Sequence, residues 1–199
     1  ADGTIAEGDA TVSGSATHTD VDANNADDTF TAVTDVATTY GTYSVTTGGA
    51  WTYTLDNNNA TINSLTDSDE VADTFVVTAE DGTAEDVMIQ IIGANDAPTS
   101  SPISDVVVDE DVALDALDVT SYFADVDAGD TLSYTADFGE GSMVLADGIV
   151  PGNTFDNDGV GVHNVTITAT DSSNVTASES FTITVNNVND AAVITAADG

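Results

Sequence analysis

The sequence predicts an all-β protein made of two antiparallel β-sandwiches in tandem. Three observations carry this. Val, Ile, Phe and Tyr recur in short alternating runs, the two-residue period of half-buried strands. Thr, Val, Gly, Asn and Asp are abundant, a composition that favours strands and turns over helices. And motifs of the first half return, in the same order, in the second. The chain is 41% hydrophobic, which separates it from acidic disordered tails. Its 199 residues suit one or two domains.

Taken along the chain, Tyr43 and Val45 precede Gly48-Gly49, and Trp51, Tyr53 and Leu55 follow it. Alternation around a two-glycine turn predicts a β-hairpin with Trp51 and Tyr53 in the core. At most one helical turn is expected, within Asn57 to Leu65. The strand Thr74 to Asp81 corresponds to Asn164 to Asp171, and each is followed by a second strand, Val87 to Ile92 and Phe181 to Val185. The tripeptide Asn95-Asp96-Ala97 returns as Asn189-Asp190-Ala191, and Asp20-Val21-Asp22 as Asp125-Val126-Asp127. In the second half, Asp147-Gly148 between Met143-Val144-Leu145 and Ile149-Val150 predicts another hairpin. Pro98 and Ser100-Ser101-Pro102 mark the linker. The expected domains are residues 1–97 and 98–192, with 193–199 the start of a following repeat, as in one unit of a tandem array.

The charge sets the functional question. The chain has no Lys or Arg and 36 Asp and Glu, a formal net charge of -36. Apart from two His and the amino terminus, nothing can carry positive charge, so the acids lack internal counter-ions. Two carboxylates about 4 Å apart repel by roughly 4 kcal/mol at a surface-like dielectric. No side chain can neutralise a phosphate, which excludes nucleic acid and disfavours an anionic membrane. No apolar run approaches a membrane span. The absence of Cys fits an extracellular protein stabilised by metal rather than disulfides. No Cys, Lys or Arg is available for catalysis and neither His sits in a Ser/Asp pattern, so no enzyme is expected.

Salt adaptation explains scattered acids. These acids are grouped: Asp20-Val21-Asp22, Asp109-Glu110-Asp111, Asp125-Val126-Asp127 and Asp156-Asn157-Asp158. In a strand, residues i and i+2 point the same way about 7 Å apart, so an Asp-x-Asp pair offers two carboxylates to one point. Grouped hard oxygens suit Ca²⁺, which takes six to eight oxygens at about 2.3–2.6 Å; Mg²⁺ keeps its waters and demands tighter geometry. One pair is not a site, and distant loops must complete it. An EF-hand is rejected at both Asp-x-Asp runs: Asn25 stands where its Gly belongs, and Thr31 and Ala136 where its Glu belongs. Asp56, Asp147, Asp156 and Asp198 are expected to be turn formers, and His18 and His163 ordinary surface or strand residues.

The motifs resemble the cadherin family. Tyr40-Gly41-Thr42-Tyr43, Trp51 to Asn57, Asp73-Thr74-Phe75 and Asn95-Asp96-Ala97-Pro98 resemble a VCBS repeat over residues 4–98. Asp109-Glu110-Asp111, Asp125-Val126-Asp127 with Gly129-Asp130, Thr168 to Asp171 and Val188 to Ala191 resemble a bacterial cadherin-like, dystroglycan-type domain, with Ala192 in place of the usual Pro. The resemblance implies cadherin-like, Ig-like sandwiches joined by a short calcium-binding linker. It implies one interdomain Ca²⁺ site of Glu7, Glu70, Asn95, Asp96, Asp125, Asp127 and Asp171. Two half-sites are implied at the ends: Asp20, Asp22 and Asp81, and Glu110, Asn189 and Asp190.

The expected function is a calcium-rigidified extender segment of a large secreted or cell-surface protein of the bacterial adhesin type. Its expected partners are neighbouring repeats of the same chain, with polysaccharide or a host or abiotic surface reached through other domains. The segment itself is expected to be monomeric and extracellular. The alternatives are a calcium-dependent polysaccharide-binding module, with Tyr122 and Phe123 as its aromatics, and a cell–cell adhesion module, for which the first strand lacks an anchoring Trp.

Overall fold

The computed structural model describes residues 2–19, 29–139 and 141–191. Asp20, Asp22 and the expected start of a following repeat at 193–199 lie outside the described residues. The chain divides into two compact units, residues 1–96 with 126–129, and residues 97–125 with 130–199.

Among the described residues, the first unit has seven strands: β1 (Gly3–Ala6), β2 (Thr11–Ser15), β3 (Val33–Ala37), β4 (Gly41–Val45), β5 (Ala50–Leu55), β6 (Glu70–Thr78) and β7 (Ala84–Ile92). They form a three-stranded sheet in the order β1-β7-β6 and a four-stranded sheet in the order β2-β5-β4-β3. The expected hairpin is present, Val45 opposite Trp51 across the Gly48-Gly49 turn. The single helical turn is a 3-10 turn at Ile62–Ser64. Alternation sends Trp51, Tyr53, Leu55, Phe75, Val77, Val87, Ile89 and Ile91 inward to one core. The Phe75 ring stacks on Tyr43 with centroids 4.3 Å apart and meets Trp51 edge-on at 5.6 Å. Gly14, opposite Trp51 in the ladder, leaves room for the indole; a Cβ there meets its ring.

A carboxylate, Asp73, is buried on the inner face of β6. Asp73 is 4% exposed and accepts from the Tyr53 hydroxyl at 2.8 Å and the backbone N–H of Tyr40 at 2.9 Å, Thr74 at 3.0 Å and Thr39 at 3.4 Å. Burial acts to raise its pKa, but the hydrogen bonds from Thr38, Tyr40, Tyr53 and Thr74 outweigh it and hold the group below the usual carboxylate range. Burial, and then the bond to Asp73, push the Tyr53 hydroxyl far above the ordinary phenol range, so it remains a donor.

The second unit holds β8 (Thr99–Ser100), β9 (Val106–Asp109), β10 (Ala113–Leu114), β11 (Leu117–Asp118), β12 (Phe123–Ala124), β13 (Ser133–Asp137), β14 (Ser142–Leu145), β15 (Ile149–Val150), β16 (Asn153–Thr154), β17 (Gly161–Thr170) and β18 (Thr176–Asn186). A five-stranded sheet in the order β14-β13-β17-β18-β9 carries most of the core, with Val165, Ile167 and Ala169 fully buried. The opposing layer consists of three short pairs, β8-β12, β10-β16 and β11-β15. The expected hairpin at Asp147-Gly148 does not form. Leu145 pairs with Tyr134 and Val150 with Leu117, so the chain crosses between layers there. Asp147 and Gly148 have the left-handed backbone of a turn, at φ 52° and 69°. Yet Leu145 and Val150 are both buried, and burying both drew the two strands to different partners.

An early strand of each unit runs parallel to its last strand: β1 pairs with β7 from Gly3↔Ile89 to Ala6↔Ile92, and β9, which follows the short β8, pairs with β18 from Ile183↔Val106 to Asn186↔Asp109. The residue after β1 and the residue after β9 are therefore carried to the point where the last strand leaves the sheet. In both units that residue is a Glu.

The Asp73 network gives a test. Because its carboxyl titrates lower in the folded chain, its contribution to stability is present above the unfolded value near about 4 and is lost as pH falls through the folded value. Tyr53→Phe is expected to cost about 1.5–3 kcal/mol in urea unfolding at pH 7. The deficit should narrow below about pH 4 as Asp73 protonates; an equal deficit at both pH values assigns the loss to packing instead.

Candidate functional site

Glu7 follows β1, and its N–H donates to the Ile92 carbonyl at 2.8 Å, while its Oε2 accepts from the Ala94 N–H at 3.2 Å. Glu110 follows β9 and repeats both contacts. Its N–H donates to the Asn186 carbonyl at 3.0 Å, and its Oε1 accepts from the Val188 N–H at 2.6 Å. Ala94 and Val188 each immediately precede an Asn-Asp-Ala tripeptide. Within it, Asn95 Nδ2 donates to the Asp96 carbonyl at 2.7 Å and Asn189 Nδ2 to the Asp190 carbonyl at 3.2 Å. The strand parallel to the last, β1 or β9, thus delivers an acid onto the departing linker in both units.

In the first unit, which includes residues 126–129, the Asp96 N–H donates to Asp127 Oδ2 at 2.9 Å and the Ala128 N–H to the Ser64 carbonyl at 3.0 Å. Asp96 Oδ2 is buried and has no hydrogen-bond partner among the described residues. Burial raises the Glu7 carboxyl above its usual range; the Ala94 N–H pulls it back, and the charges of Asp96 and Asp127 push it up further. Glu7, Asp96 and Asp127 therefore share one neighbourhood, with no base in the chain to relieve it.

The loop that follows β12 holds a second concentration. Asp125, Asp127 and Asp130 each bring an oxygen to within 4.8 Å of the others. At that spacing each ionised pair repels by about 3.5 kcal/mol at an effective dielectric of 20. An ion with Ca–O distances of about 2.4 Å reaches oxygens up to about 4.8 Å apart, so the spacing suits a shared Ca²⁺. Asp130 was absent from the expected ligand set. The three-residue step after Asp-x-Asp was the available signal, and the loop's reversal at Gly129, with φ 83°, is what brings Asp130 back. Asp130 Oδ1 accepts from the N–H of Ser172 at 3.2 Å, and bonds from Ser172 foremost hold its carboxyl below the usual range.

The other expected residues fall in four places. Asp171 is 5% exposed and its Oδ1 accepts from the Val175 N–H at 2.7 Å. Glu70 lies on the exposed face of β6, its Oε2 accepting from Gln90 at 2.6 Å. Asp81 accepts from Thr83 and lies 3.7 Å from His18 Nε2. At the end of the second unit, Glu110 is 1% exposed and its Oε2 is buried with no hydrogen-bond partner among the described residues. Asn187 and Asn157, which sequence reasoning missed, complete this cluster. Asn187 Nδ2 donates to Glu110 Oε1 at 2.8 Å and to Asn157 Oδ1 at 3.2 Å, and Asn157 Nδ2 donates to Asp190 Oδ2 at 3.2 Å. Of the two aromatics weighed for sugar binding, Phe123 is buried edge-on against Tyr134 at 5.8 Å and Tyr122 packs half-buried on the same core.

These donors are carboxylates and carboxamides, without a thiol and with His18 apart from the Glu7 and Glu110 groups. They fit a hard, oxygen-seeking cation. The buried oxygens of Asp96 and Glu110 supply an observation that turn formation does not, because a buried unpaired carboxylate oxygen is costly without a compensating charge.

No protein-family model matches the chain, and no curated protein matches it. Among solved structures, protocadherin gamma B7 extracellular cadherin domains 1-4 align with 95% of this chain and 49% of their own length, at 15% identity and a TM-score of 0.53. The chain also matches human mucin-like protocadherin EC1-2, with 80% and 83% of the two chains covered, 12% identity and a TM-score of 0.47. It matches an endo-fucoidan hydrolase of glycoside hydrolase family 107, with 80% and 24% covered, 17% identity and a TM-score of 0.36. The first likeness shows the fold, an all-β, cadherin-like β-sandwich; the other two, below 0.5, add no argument. The chain spans less than half the length of the hydrolase and of the gamma B7 structure. Among the described residues, no helix is long and apolar enough to cross a membrane.

The crowding around Glu7 makes a prediction. In chelator, Glu7→Gln should raise the thermal midpoint by about 2–5 °C, because it removes one of three neighbouring like charges. In millimolar Ca²⁺ the same variant should gain less than the wild type does. A variant that is destabilised in chelator assigns Glu7 a purely structural role.

Proposed function

We propose that this chain is a calcium-stiffened extender segment of a larger secreted or cell-surface protein of the adhesin type, with no catalytic role. In this reading the first unit is a VCBS-type repeat and the second a bacterial cadherin-like domain. The observation that carries it is the pairing of the Asp96 N–H with Asp127, beside Glu7, with Asp96 Oδ2 buried and unpartnered. Asn95 and Asp96 are the last residues of the first unit's linker, and Asp125 and Asp130 flank the loop they meet. Ca²⁺ held by Glu7, Asp96, Asp127 and their neighbours would exchange repulsion for shared coordination and restrict the linker. Glu110, Asn189 and Asp190, arranged like Glu7, Asn95 and Asp96, are the matching acceptor for a following repeat. A chain without Lys or Arg also offers no trypsin-type cleavage point.

Calorimetric titration with Ca²⁺ and small-angle scattering test this together. Asp127→Ala should weaken Ca²⁺ binding at least about tenfold, the loss of one charged ligand. Chelation should broaden the interdomain distance distribution of the wild type, and Ca²⁺ should narrow it again. Wild-type affinity in Asp127→Ala removes that residue from the site. Identical scattering with and without demonstrably bound ion refutes stiffening.

A further inference from the structure

The second unit has a feature that calcium does not use. Its layer of short pairs leaves a gap against the five-stranded sheet that reaches from Val106, Phe181 and Ile183 to Met143 of β14. The gap is a groove of about 490 Å³ lined by Leu117, Phe138, Met143, Val150, Phe155 and other apolar residues. That volume lies in the range of peptide-anchor and small-ligand sites. Among the described residues, Asp115, exposed, is the one ionisable side chain in its lining.

Along this groove runs β14, the outermost strand of the sheet, with no described strand on its far side. Proteins guard such edges with charge, Pro or a bulge. The sequence here, Ser142-Met143-Val144-Leu145, has none of these, and its register with β13 is regular from Tyr134↔Leu145 to Asp137↔Ser142. Met143, opposite the buried Ala136, faces the groove and is still 41% exposed, while Val144 on the outer face is 78% exposed. In a chain with a net charge of -36, this is an uncharged, apolar strand edge.

We propose that the edge of β14 and its groove receive an extended peptide segment of a partner protein, with aliphatic or aromatic residues at alternate positions and Lys or Arg beside them. Unpaired backbone groups of β14 bind the added strand, and alternate side chains enter the groove over Met143 and Phe138. Charge selects the occupant. A second copy brings another -36 and no base, whereas a basic peptide gains Asp115 and the field of the whole chain. The proposal is independent of the calcium reading.

The test uses the full chain and fluorescent peptides of sequence type Lys-Val-Thr-Val-Thr-Phe-Lys, read by anisotropy in Ca²⁺ and in chelator. Binding on the order of tens of micromolar is expected, with hydrogen-exchange protection of residues 142–145. Met143→Asp should weaken it at least about tenfold, and Asp115→Asn about threefold for the Lys-flanked peptide alone. Should Met143→Asp fail to fold, Asp115→Asn and the peptide series decide. The proposal is overturned by absence of binding at millimolar peptide, or by equal binding of an Asp-flanked peptide. Equal binding of a Lys-flanked peptide with Ser at the apolar positions, or of one N-methylated at alternate residues, overturns it as well. A chain dimer abolished by Met143→Asp would make a second copy the occupant and sink the basic-peptide assignment.

Discussion

The fold is governed by a shortage of positive charge. With no Lys or Arg, a carboxylate has three available fates: water, a neutral hydrogen-bond donor of the protein, or a cation from outside. The first serves the exposed majority. The second is visible wherever an acid is buried. Asp73 is held by a phenol and three backbone amides, and one oxygen of Glu110 by an amide and a carboxamide. Such bonds to a charged acceptor are worth about 1.5–3 kcal/mol each and stand in for salt bridges. They also fix geometry, since a backbone amide cannot swing away as a lysine does. What neutral donors leave unserved, notably Asp96 Oδ2 and Glu110 Oε2, is the demand that falls on an external ion.

Much of this was legible in the sequence, for reasons that particular residues show. The Trp51 hairpin was readable because alternation and a two-glycine turn are local signals, and both survive in the fold. The pairing of β6 with β7 and of β17 with β18 followed from long alternating runs separated by short turns. The Asp147-Gly148 turn misled because a turn signal specifies a reversal without naming the strands that pair across it. Competition between the two layers for Leu145 and Val150 decided that, and such competition is non-local. Asp127, Asp96 and Glu7 were named from a resemblance, and the fold brings them together. Asp130, Asn157 and Asn187 stood outside the expected ligand set because loop reversal and side-chain direction, more than spacing, place them.

The two units reach the same local arrangement from different sequences, and topology explains why. An early strand parallel to the last ends beside the chain's exit, whatever its composition. A Glu placed next can accept the first free amide of the linker, Ala94 or Val188, because that amide has left the sheet ladder. Two residues on, an Asp adds its charge. The pair therefore arises from three ingredients: a strand parallel to the last, a Glu after it, and Asn-Asp beyond the last strand. Any chain repeating these ingredients repeats the acidic junction.

The distribution of the remaining acids argues against diffuse salt as the whole answer. The outward positions of β17 and β18 run Val162, Asn164, Thr166, Thr168, Thr170 and Thr176, Ser178, Ser180, Thr182, Thr184, with no acid among them. Their hydroxyls pair across the ladder, Thr166 with Ser180 and Thr168 with Ser178, each at 2.9 Å. A surface adapted only to salt spreads charge over such faces, where each acid is hydrated and screened within about 8–10 Å at moderate ionic strength. That face of β17 and β18 is neutral, whereas Asp125, Asp127 and Asp130 crowd one loop and Asp96 and Asp127 crowd Glu7. Mobile monovalent ions screen exposed charge but do little for an oxygen that water does not reach. A cation that takes several oxygens directly relieves both the crowding and the unserved atoms, so the same charges that oppose the metal-free fold become its ligands.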